Sequence, residues 1–143
     1  MLQITNLYKE FGSLIAVDNI TFSVAKGETV VLMGPSGCGK STTIRTINRL
    51  IEPEQGTILF DGINILDLDK EELRKIRKRI GFVFQHFNLI KRLNVLENVM
   101  FGLVMSGMDR DMARAKSIEA LLKVGMNNQL EQKSDELSGG QQQ

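Results

Sequence analysis

Eight consecutive residues carry the plainest chemistry in this sequence. Gly34-Pro35-Ser36-Gly37-Cys38-Gly39-Lys40-Ser41 match the pattern G-x-x-x-x-G-K-[ST] at every fixed position. Glycines at this spacing let backbone N–H groups turn inward around an anion, and a helix that starts directly afterwards adds its positive end. The pattern predicts a loop that holds the phosphates of a nucleoside triphosphate. Lys40 would reach the β- and γ-phosphates, and the Ser41 hydroxyl would ligate Mg²⁺. Thr42 extends the motif, and Cys38 reads as a small residue filling a tight turn inside it.

Such a loop works only between a strand and a helix, and both are written beside it. Thr29-Val30-Val31-Leu32-Met33 is a continuous apolar run that suits a strand buried on both faces. A helix is expected over 40–50, with Ile44, Ile47 and Ile51 on its apolar face; strand, loop and helix make the first half of a βαβ unit. Upstream, 2–4 and 20–24 alternate apolar and polar as half-buried antiparallel strands do, and Lys26-Gly27-Glu28 is a turn. Downstream, 57–60 is a short strand that ends in the turn Asp61-Gly62. Asp69 with Glu72 opens a charged helix over 69–79 in capping-box fashion, and a further apolar strand is expected over 80–84. From Asn94 the pattern turns helical: Asn94 with Glu97 caps one helix, and a second runs over 110–124 and stops at Gly125.

Composition bounds the rest. The chain has 143 residues, 42% of them hydrophobic, and a net charge of +1, which excludes a nucleic-acid binder recognised by global charge. No stretch approaches the roughly 18 apolar residues of a membrane span, and the N-terminal residues do not read as an export signal. Cys38 is the single cysteine, so no internal disulfide forms, which fits a reducing compartment. Ile58-Leu59-Phe60-Asp61 imitates a strand that ends in a metal-binding carboxylate. It follows the phosphate loop too closely, Gly62 stands after it, and it reads as an antiparallel strand and turn. His86 reads as a loop residue, and the basic run 74–79 as a solvated helix face.

Three further segments, taken with the phosphate loop, resemble the ATP-binding-cassette (ABC) ATPases. Leu137-Ser138-Gly139-Gly140-Gln141 is similar to that family's signature sequence, and Phe82-Val83-Phe84-Gln85 looks like its Q-loop. Lys9-Glu10-Phe11-Gly12 is similar to the segment whose aromatic stacks on adenine. Ser138 is a good N-cap, and the two glycines after it leave N–H groups open at a helix start. The wording of 46–50, 86–89, 96–102 and Gln142-Gln143 looks like the subfamily that energises polar amino-acid importers, although phosphonate and methionine importers share parts of it.

The resemblance implies an α/β fold: a P-loop NTPase core with an antiparallel β subdomain and a helical insert, C-terminally incomplete. Residues 1–85 would form the nucleotide core, 86–136 the helical subdomain, and 137–143 the signature with the start of a truncated helix. ATP and Mg²⁺ are the implied ligands. Phe11 would stack on adenine with Val17 nearby, Gly34 to Thr42 would hold the phosphates, and Gln85 would join Ser41 at the metal and orient water. Ser138, Gly139, Gly140 and Gln141 would close on the γ-phosphate held by a second subunit in a head-to-tail dimer. The other implied partners are an integral-membrane permease and, through it, a solute-binding protein, which places the chain in the cytoplasm on the inner face of the membrane. The family's later strand ending in Asp-Glu and its switch histidine are not in these residues, so the chain alone is expected to turn over ATP negligibly. The competing readings are a soluble ABC ATPase without a permease and a nucleotide-binding fragment without turnover.

Overall fold

The computed structural model describes residues 1–143, which divide into two compact units, Met1–Gly81 and Phe82–Gln143. In the first unit the alternating segments extend further than the pattern predicts. β1 (Leu2–Phe11) and β2 (Leu14–Val24) form an antiparallel hairpin closed by Gly12-Ser13, and β3 (Gln55–Phe60) and β4 (Ile63–Asn64) complete a sheet of order β2-β1-β3-β4. Their inward residues Ile4, Leu7, Val17 and Ile58 join Ile65 and Ile76 in one core. Asp61 and Gly62 both have positive φ (49° and 83°) between the paired Phe60 and Ile63. That is the two-residue turn matching the twist of a hairpin, so Asp61 ends an antiparallel strand, as the sequence predicts.

α1 spans Lys40–Ile47, three residues shorter than expected. Arg49 takes φ 49° and turns the chain back, so that the Leu50 N–H reaches the Arg45 carbonyl at 2.9 Å. The Arg77 guanidinium donates to the carbonyls of Asn48 and Arg49, satisfying acceptors that a helix end leaves open. The buried face of α1 agrees with the expected one only in part: Ile47 packs against the first unit's core, but Ile44 does not. Ile44 is 46% exposed, while Thr43 and Thr46 are buried. Threonine is tolerated there because each hydroxyl donates back to a carbonyl one turn earlier, Thr43 to Gly39 and Thr46 to Thr42.

The apolar runs 29–33 and 80–84 do not become strands. The chain's four strands pair among themselves, and a strand of the doubly buried kind needs neighbours on its edges that these runs do not have. Val31 and Val83 are accordingly exposed, and Met33 is 87% exposed.

α2 (Lys70–Arg77) carries the predicted capping box, with the Asp69 carboxylate accepting from the Glu71 and Glu72 N–H groups. In the second unit α3 (Val95–Met105) is closed by the Asn94–Glu97 box, and α4 (Arg110–Lys123) is capped by Asp109. A short 3-10 turn, Ser134–Glu136, leads to α5 (Gly139–Gln142). Val95, Leu96, Met100, Ala113, Leu121 and Leu137 form this unit's own core. No helix is long and apolar enough to cross a membrane.

Candidate nucleotide-binding site

The phosphate loop lies wholly in the first unit. Gly34, Gly37 and Gly39 have φ of 153°, 84° and 89°, values open to glycine and costly for other residues. Gly39 is the N-cap of α1, and no side chain caps that helix, so its first-turn N–H groups face whatever anion enters the loop. Gly39 is also the tightest point. A Cβ built there would stand 2.0 Å from the Ala16 carbonyl oxygen, so β2 presses directly on the loop.

The Lys40 ammonium donates to the carbonyls of Gly34 (2.8 Å) and Pro35 (2.6 Å) and lies 3.5 Å from the Cys38 sulfur. All of its reach is thus turned back across the loop. Phosphate oxygens, being anionic, are stronger acceptors than neutral carbonyls and compete directly for those same donors. The hydroxyls of Ser36 and Ser41 make no hydrogen bond within the chain, which leaves Ser41 free as a hard oxygen ligand. No cluster of three His, Cys, Asp or Glu side chains is available to hold a metal. A divalent ion at this loop would rest on the Ser41 hydroxyl and phosphate oxygens, hard oxygen donors of the kind that suit Mg²⁺.

Phe11 closes β1 beside the hairpin turn and is 49% exposed, while Val17 is buried in the core directly across from Lys9. The Lys9 ammonium stands 4.9 Å from the centre of the Phe11 ring and 2.5 Å from a Glu54 carboxylate oxygen. Hydrogen bonding from Lys9, and then from the Glu10 N–H, holds the Glu54 carboxyl below the usual glutamate range. Lys9 and Glu54 were not singled out by the sequence pattern. They are 45 positions apart, and only the pairing of β1 with β3 brings them together.

The remaining candidate residues belong to the second unit. Gln85 sits exposed in a turn with His86. Leu137 is buried in the helical core and fixes the start of the signature segment. Ser138 caps α5, its hydroxyl accepting from the Gln141 N–H at 3.4 Å while the Gln141 side chain accepts from the Ser138 N–H at 3.0 Å. Gln142 donates to the carbonyls of Ser134 and Leu137, tying the short helix to the turn before it, and Gly139 and Gly140 remain exposed. A cleft of about 690 Å³ opens beside this segment, lined by Phe87, Leu89, Val99, Leu121, Val124 and Ser138 among others.

A glycine loop at an uncapped helix start, packed against a strand whose hairpin partner carries an exposed aromatic, has the local features of a P-loop nucleotide-binding domain. The chain belongs to the ABC transporter family, whose sequence profile matches residues 17–143. It is 43% identical to the phosphonates import ATP-binding protein PhnC 2 of Halalkalibacterium halodurans, over 100% of this chain and 62% of that protein. It is 41% identical to the methionine import ATP-binding protein MetN of Helicobacter hepaticus, over 100% of this chain and 41% of that protein. The fold matches the dimeric post-hydrolysis structure of the ATP-binding cassette MJ0796 bound to ADP and Pi with a TM-score of 0.87. That match has 40% identity and covers 99% of this chain and 65% of the other. The chain therefore spans less than two thirds of the curated relatives it resembles.

Proposed function

We propose that this chain carries the nucleotide-binding part of an importer ATPase subunit, which couples ATP binding and hydrolysis to solute uptake through a membrane permease. The observation that carries this reading is the phosphate loop at the uncapped start of α1, with Lys40 poised across its mouth. ATP enters with its phosphates against the α1 N–H groups. Lys40 exchanges two neutral carbonyls for phosphate oxygens, and Phe11 takes the adenine. Ser41 would hold Mg²⁺, which would supply neutralisation of the phosphate charge. Catalysis in such a site is positioning and charge neutralisation, with little covalent chemistry left to the protein.

Residues 1–85 serve as the nucleotide core and 86–136 as the helical subdomain that meets the permease, its cleft accepting a permease segment. Residues 137–143 present Ser138, Gly139, Gly140 and Gln141 to the γ-phosphate of a second subunit. The dimeric ADP- and Pi-bound relative supports both the pairing and the turnover. Such a subunit sits on the cytoplasmic face of the membrane and is served indirectly by a solute-binding protein. For the solute we propose a small polar molecule of the amino-acid class. The wording of 46–50 and 96–102 supports this, beside relatives named for phosphonates and methionine.

Disrupting the gene in its own cell and following uptake of labelled polar amino acids, methionine and methylphosphonate tests the proposal. Loss of amino-acid uptake, restored by the intact gene and not by a Lys40→Met copy, is the expected result. Unchanged uptake of all three would contradict the proposed solute class, and loss confined to methylphosphonate or methionine would move the solute to that compound's class.

A further inference from the structure

Phe11 stands at the last position of β1, and an exposed ring at a hairpin tip ordinarily samples several rotamers, freedom that stacking on a base must remove. Here that freedom is already restricted. Lys9 and Phe11 are two apart on one strand and share a face. The Lys9 ammonium lies over the ring, 4.9 Å from its centre, so one face of Phe11 is covered by a cation and the other is left for a ligand. Lys9 itself cannot wander: its side chain is 11% exposed, its stem runs opposite Val17, and its ammonium is 2.5 Å from Glu54 Oε1.

The other oxygen of Glu54 accepts from the Glu10 N–H at 3.0 Å, and the Glu54 N–H donates to the Tyr8 carbonyl at 3.1 Å. Three contacts from one residue thus converge on the three positions that precede Phe11. Glu54 lies just beyond the last β1–β3 pair, Tyr8 with Gln55, so it continues the strand pairing with a side chain where the ladder ends. None of these contacts adds to the apolar core. What they fix is the direction of the ring.

We propose that Lys9 and Glu54 are positioning residues for base recognition, holding Phe11 with one face closed so that the other stacks on the adenine of the bound nucleotide. This rests on the reading above that Phe11 takes the base. A preset ring pays less ordering entropy on binding, so the pair acts on the base-dependent part of the affinity and not on the phosphate part.

The test measures the affinities of the chain for ATP and for inorganic tripolyphosphate, which shares the phosphates and lacks the base. Phe11→Ala should weaken ATP on the order of tenfold, the size of one base–aromatic stack. Lys9→Met and Glu54→Gln should each weaken ATP about threefold, the size of an exposed cation–π contact, with tripolyphosphate binding unchanged. Lys9→Arg should restore ATP affinity, because a guanidinium both pairs with a carboxylate and lies on an aromatic face. An unchanged ATP affinity in Lys9→Met beside a weakened Phe11→Ala overturns the inference and leaves the stacking intact. Equal losses for ATP and tripolyphosphate overturn it in favour of a general disturbance of the loop. An unchanged ATP affinity in Phe11→Ala overturns the inference together with the stacking on which it rests.

Discussion

At the scale of single residues, the loop is governed by how closely β2 approaches it. The Ala16 carbonyl leaves no room for a side chain at Gly39, whose backbone is also left-handed. Gly39→Ala should therefore displace the loop and lower ATP affinity by at least about tenfold, one pair of lost phosphate hydrogen bonds being worth that much. Equilibrium titration with a fluorescent ATP analogue reads this directly. Two carboxylates set the acid behaviour of the first unit. Glu54 is held low by Lys9 and the Glu10 N–H, and Asp61 by the Met1 amine and Arg79. A carboxylate whose pKa is depressed in the folded state contributes stability that is present above its ordinary value and is lost as pH falls through the folded one. Thermal stability should accordingly fall as pH drops below the usual carboxylate range. Glu54→Gln and Asp61→Asn should each flatten that acid limb, as melting curves between neutral pH and pH ~3 will show.

At the scale of elements, what was legible depends on how local the physics is. The Asp69–Glu72 and Asn94–Glu97 boxes could be read in advance because every partner lies within one helical turn. Asn94 also donates to the Glu131 carboxylate, a contact 37 positions away that no local pattern announces. Asn94→Ala should cost about 1–2 kcal/mol, the upper part of the usual range for an N-cap, measured as the shift in a denaturant midpoint. On α1 the apolar pattern places Ile47 correctly against the core but not Ile44, because back-bonded hydroxyls make Thr43 and Thr46 acceptable inside. Strand character at 29–33 and 80–84 is plain in the sequence, but pairing is a property of neighbours, which residue type does not supply. For the same reason the Gly34–Ser41 loop was fully visible from its motif, while the Lys9–Glu54 pair behind Phe11 was not.

At the scale of the whole molecule, each unit has its own core, and the apolar segments that join neither core are the exposed ones. Val31 and Met33 form an unpaired, uncharged run of the kind that templates association between chains. Replacing both with serine should reduce concentration-dependent light scattering and binding of an apolar dye, with little change in melting temperature, since neither side chain is buried. A large drop in melting temperature would mean that the run is packed. The central claim is that the loop ahead of α1 holds a nucleoside triphosphate through Lys40, and one measurement bears on it most directly: calorimetric titration of ATP with Mg²⁺ into the chain and into Lys40→Met. Saturable binding at one site, weakened at least about tenfold by the substitution, is the result that a lost charge-assisted contact predicts. Equal binding by the two proteins, or no binding by the unsubstituted chain, would contradict it.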